Sequence, residues 1–90
     1  MTALQRGLQV TSLLGQELGT EVTRLVLAHA FGEMRLHRVG LRVLAFNDRA
    51  VRCYESCGFR VEGRERETTR VDGEWHDDLI MGVLAPEFRA

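Results

Sequence analysis

Between His37 and Phe59 the apolar pattern changes period twice, and this constrains the architecture more than any other feature of the chain. Val39, Leu41, Val43 and Ala45 alternate with polar or small residues, the period of a strand. Asn47, a favoured N-cap, then opens about three helical turns that end at Gly58, a residue suited to the left-handed position after a helix. Phe59 begins another apolar segment. The spacing therefore predicts a strand over 38–45 running directly into a helix over 48–57.

Two further strands follow, over 59–70 and 74–84, joined through Asp72-Gly73. Asp-Gly between extended runs signals a tight hairpin, because both central residues of a type I′ turn need positive φ. Leu79 to Leu84 is apolar on both faces, so this strand belongs inside a sheet. Glu62-Gly63-Arg64-Glu65-Arg66-Glu67 alternates charge, as expected of a solvated or edge strand with cross-strand ion pairs. Upstream, a helix is expected over 20–34, with Val22, Leu25, Val26, Phe31 and Met34 forming a broad apolar arc. Leu8 to Thr11 has the character of a short strand, and two glycines, Gly15 and Gly19, mark a turn before the helix. The order helix, strand, helix, strand, strand is an α+β pattern, and 90 residues make a single domain.

A net charge of −1 gives no general electrostatic attraction for nucleic acid or for an anionic membrane. No apolar run reaches the roughly 18–20 residues of a membrane helix. Cys53 and Cys57 fall four residues apart on one predicted helix, with Cβ atoms about 5–6 Å apart, too far for a disulfide. Reduced thiols point to a cytoplasmic protein. A metal site is not expected, since His29, His37 and His76 show no spacing that would complete a ligand set with the two thiols.

The spacing Asn47-x-x-Ala50-x-x-x-Tyr54-x-x-x-Gly58-Phe59 resembles the pantetheine and catalytic-tyrosine segment of the GNAT superfamily of acetyl-CoA-dependent N-acetyltransferases. The turn before the first helix is similar to that family's pyrophosphate loop, whose free amides and helix N-terminus favour phosphate. Here Leu14 stands in place of the usual Arg or Gln, and Glu17 in place of the first motif glycine. The resemblance spans residues 13 to 85 and implies the C-terminal half of a GNAT fold, with the strands and helices of the first half missing. It implies that Gly15, Gln16, Leu18, Gly19, Thr20, Asn47 and Arg52 bind acetyl-CoA, and that Tyr54 protonates the departing thiolate. The segment from Asp72 to Asp77 resembles the hairpin of the ribosomal-protein N-terminal acetyltransferase branch, which implies that Trp75 and Asp77 border the acceptor.

The resemblance thus implies an N-acetyltransferase acting on a primary amine with acetyl-CoA as co-substrate. The alternative is a catalytically dead GNAT-derived module for dimerisation or folding. A homodimer, or association with a separate first half, is expected because a truncated sheet leaves an edge and an apolar face to cover. The acceptor is open among protein N-termini, polyamines, antibiotics and small amines.

Overall fold

The computed structural model describes residues 19–88 and the backbone of 7–9. In chain order the elements are β1 (Gly7–Gln9), α1 (Thr20–Gly32), β2 (Arg38–Leu44), α2 (Asp48–Ser56), β3 (Arg60–Val71) and β4 (Glu74–Leu84), with a short 3₁₀ turn at Ala85–Glu87. The strands form one mixed sheet in the order β1-β2-β4-β3. β1 runs parallel to β2, and the other pairs are antiparallel. This is the expected α+β architecture. The doubly apolar β4 lies between β2 and β3, and the charged β3 forms an edge.

Helix α2 begins and ends as its sequence predicts. Asn47 Oδ1 accepts from the Ala50 N–H at 3.1 Å. At the far end, Gly58 takes φ 105°, its N–H donates to Glu55 O at 3.0 Å, and the Phe59 N–H donates to Tyr54 O at 3.0 Å. This pair of bonds is a Schellman closure, which brings the residue after the glycine back against the helix. The hairpin turn also follows its sequence, with φ 50° at Asp72 and 83° at Gly73.

One face of the sheet, Val39, Leu41, Val43, Met81 and Val83, packs against both helices. The helices contribute Leu27 and Ala30 from α1, and Ala50 and Tyr54 from α2 with Cys57 at its C-cap. The inward stripe of α1 corrects the sequence expectation. Thr23, Leu27 and Ala30 are buried, while Val22, Leu25 and Met34 are exposed, with Leu25 at 71%. A threonine can take the inward position because its hydroxyl donates to Gly19 O at 3.0 Å, so burial leaves no polar atom unpaired. Met34 lies beyond the helix end, where the Leu36 N–H donates to Ala30 O at 2.9 Å and Arg35 turns the chain at φ 53°.

The other face of the sheet carries charge. Arg38 on β2 pairs with Glu62 on β3, although β4 runs between them. The pair passes over Gly82, where a Cβ would lie 2.6 Å from Glu62 Oε1 and 2.7 Å from Arg38 Nη1. Hydrogen bonds from Arg38 hold the Glu62 carboxyl below the usual carboxylate range. Arg42 similarly pairs with Glu65 and lies 3.6 Å from Asp78.

Candidate active site

Asn47 and Tyr54 are fixed by the two ends of α2. The N-cap bond occupies Asn47 Oδ1 and leaves the amide nitrogen as the group the side chain can offer to a ligand. Replacing Asn47 with Ala is expected to cost about 1 kcal/mol of stability through the lost cap. Chemical denaturation measures it, and an unchanged midpoint would show that the cap is not what anchors this turn.

Tyr54 is 3% exposed and meets Phe59 edge-on, with ring centroids 5.7 Å apart. The physical meaning of the Tyr-x-x-x-Gly-Phe spacing is now explicit. Tyr54 occupies the third position before the cap and Phe59 the second after it, the two positions that a Schellman closure brings together. The glycine thus sets the tyrosine ring as well as the helix end.

The start of α1 lies against the second half of α2. Thr20 Oγ1 and Cys53 Sγ share a hydrogen bond at 3.5 Å, and Cys57 Sγ lies 3.7 Å from Thr20 O as a donor. Arg24 Nη2 donates to Ser56 O at 3.1 Å. Burial raises the Cys57 thiol above its ordinary pKa, so it packs as a neutral group. Gly19 is the N-cap of α1 and has no side chain to bond the first-turn amides. Among the described residues, a Cβ there would meet nothing within 4 Å. Gly19, Thr20 and the tyrosine helix therefore share one neighbourhood. Arg52 is exposed on the outer side of α2. Gly15, Gln16 and Leu18, with Leu14 and Glu17, lie outside the described residues.

The hairpin approaches the same turn from the other side. The Ala45 N–H donates to Asp77 O at 2.9 Å, and Phe46 meets His76 edge-on at 4.6 Å between centroids. Asp77 pins a bulge in β3. Its Oδ1 accepts from the Glu67 N–H at 2.8 Å and its Oδ2 from Arg64 Nε at 2.7 Å. These donors, the backbone amide foremost, hold the Asp77 carboxyl below its ordinary range. Glu67 takes φ 50° within the bulge. Trp75 is exposed, with the Arg70 guanidinium 5.7 Å from its ring centroid. Sequence reasoning missed Phe46, and the available signal was an aromatic residue in a turn directly before an N-cap.

A family model described as an acetyltransferase (GNAT) domain matches residues 5–60. A probable N-acetyltransferase of Bacillus subtilis, YjcK, is 36% identical over 73 residues, covering 81% of this chain and 40% of the relative. The spermidine N(1)-acetyltransferase of Vibrio cholerae is 30% identical over 74 residues, covering 82% of this chain and 43% of its own. A solved structure of a mutant spermidine N-acetyltransferase SpeG from Vibrio cholerae superposes with a TM-score of 0.78 at 26% identity, over 93% of this chain and 53% of the other. The chain spans about two fifths of the length of these curated relatives. With the family model covering well over half of its residues, the chain belongs to the GNAT acetyltransferase domain family.

Proposed function

We propose that this domain transfers an acetyl group from acetyl-CoA to a primary amine, and that Tyr54 is its general acid. The observation that carries this reading is the contact of Thr20 with Cys53 and Cys57, which joins the helix start suited to a pyrophosphate to the helix that holds Tyr54. Gly19 and the first-turn amides of α1, which receive no side-chain cap among the described residues, offer donors for the pyrophosphate, and the dipole of a 13-residue helix adds to them. The amide nitrogen of Asn47 offers a donor to a carbonyl of the pantetheine arm.

In the reaction the amine nitrogen bonds to the thioester carbon and the carbon–sulfur bond breaks. The proton from the nitrogen passes to solvent water, Tyr54 supplies one to the departing sulfur, and solvent restores the phenol. A phenol suits this step because its basicity is comparable to that of an alkyl thiolate. Asp77, with both oxygens engaged, shapes the hairpin beside the acceptor rather than serving as a base.

Amide chemical-shift mapping with acetyl-CoA at millimolar concentration tests the reading. The signals of Gly19, Thr20, Asn47 and Tyr54 should move together, while those of Val71 to Glu74 at the hairpin tip stay still. A response that spares the starts of both helices would remove the basis for it.

A further inference from the structure

The chain has four Phe, one Tyr and one Trp. Tyr54 and Phe59 lie in the core, and Phe31 packs at a tilt against Phe88 with centroids 5.5 Å apart. The other two aromatics, Phe46 and Trp75, are 54% and 55% exposed. Both line one open cleft of about 300 Å³, together with Ala45, Arg64, His76 and Asp77. Single exposed apolar residues are ordinary on a protein surface; two large aromatic rings converging on one cleft are the usual lining of a ligand site.

Neither ring is loosely placed. The turn that carries Phe46 is held by bonds from the Ala45 N–H to Asp77 O and from the Asn47 N–H to Leu44 O, both at 2.9 Å. The Phe46 ring rests against His76, and the Trp75 ring lies under Arg70. Rings already fixed in position lose little freedom when a ligand stacks on them.

The electrostatics of the cleft decide what kind of ligand suits it. Its carboxylate, among the described residues, is Asp77, and the two oxygens of Asp77 are taken by Arg64 and the Glu67 N–H. The lining therefore offers aromatic faces and an ion pair in which Arg64 offsets the charge of Asp77. Phe46 immediately precedes Asn47, the residue assigned above to the pantetheine arm, so a group resting on Phe46 lies beside the donor end of the site.

We propose that this cleft holds the side group of the acceptor, and that the acceptor is a primary amine carrying an aryl group a few bonds from the nitrogen, in preference to a polyamine. The free arylalkylamine and the N-terminal residue of a chain beginning with an aromatic amino acid share this chemistry. The amine half of the proposal rests on the acetyl-transfer reading; the aryl half rests on the cleft.

Trp75 is the sole tryptophan and lies in the cleft, so its fluorescence reports binding without any catalysis. The chain is titrated with phenethylamine, with a peptide whose first residue is phenylalanine, and with spermidine, each with and without acetyl-CoA. Phenethylamine, the peptide or both should change Trp75 emission saturably, and whichever binds more tightly identifies the source of the aryl group. Spermidine should bind about tenfold more weakly or not at all, and Phe46→Ala should weaken aryl binding about tenfold. Leu25→Ala, on the far side of α1, should change nothing. Spermidine binding as tightly as both aryl amines, a response that never saturates, or indifference to Phe46→Ala each overturns the proposal. Saturable aryl binding by a chain that does not respond to acetyl-CoA supports the cleft and counts against the transferase reading. Acetylation of spermidine with Trp75 silent to both aryl amines overturns the cleft proposal alone.

Discussion

Tyr54→Phe should lower acetyl-transfer turnover by about 10²–10⁴-fold while changing acetyl-CoA affinity little. The substitution removes one hydroxyl and keeps the ring, so the edge-on packing against Phe59 and the helix closure at Gly58 survive. A loss confined to the chemical step, read as a fall in kcat at unchanged donor binding, identifies a group that acts in the transition state. Cys53→Ala is the control, because the Cys53 thiol lies 3.5 Å from Thr20 Oγ1 between the two helices and should matter little to the rate if it only packs there. Full turnover in Tyr54→Phe together with inactivity in Cys53→Ala would replace direct transfer with a route through an acyl-cysteine.

The largest effect on stability is expected at Leu41. Its side chain is 1% exposed at the centre of β2, opposite Met81 on β4 and within the core shared with both helices. Leu41→Ala removes buried methyl groups and leaves a cavity, at a cost of about 2–5 kcal/mol. Small domains have only about 5–15 kcal/mol in total, so urea unfolding should show a large drop in midpoint. Leu25→Ala, at the exposed outer face of α1, should stay within about 0.5 kcal/mol of the parent. Equal effects at the two sites would mean that the helices do not pack on the face described.

Elements whose signals are local were legible in the sequence. Asn47, Gly58 and Asp72-Gly73 act through their own φ values and side-chain caps, and the order of strands and helices followed from them. The inner position of β4 was legible because a strand apolar on both faces has only one comfortable place. Features that depend on distant partners were not. The inward face of α1 could not be separated from its neighbours, because Thr23 becomes an acceptable core residue only through its bond to Gly19 O. The bulge in β3 was hidden within an alternation of Arg and Glu that reads as a regular strand, and its cause, Asp77, lies ten residues from Glu67. Phe46 gained meaning only when the hairpin brought Trp75 to the same cleft. The Asn47–Tyr54 segment of the candidate site was legible as a motif, and its packing has a physical account in the helix closure. The role of its chemistry is what the turnover experiment measures.

The glycine at position 82 has a consequence for how the chain finds its native pairing. Apolar alternation repeats every two residues, so a slip of one residue between β2 and β4 turns the wrong face inward and is penalised at once. A slip of two residues leaves the apolar face inward, and the alternation cannot detect it. The pairing of Arg38 with Glu62 can, because it requires β2, the bare backbone at Gly82 and β3 to line up. A two-residue slip of β2 would carry Arg38 about 7 Å along the strand, out of reach of its partner. The missing side chain thus acts as a sighting notch, and charge distinguishes two alignments that hydrophobicity treats as equal.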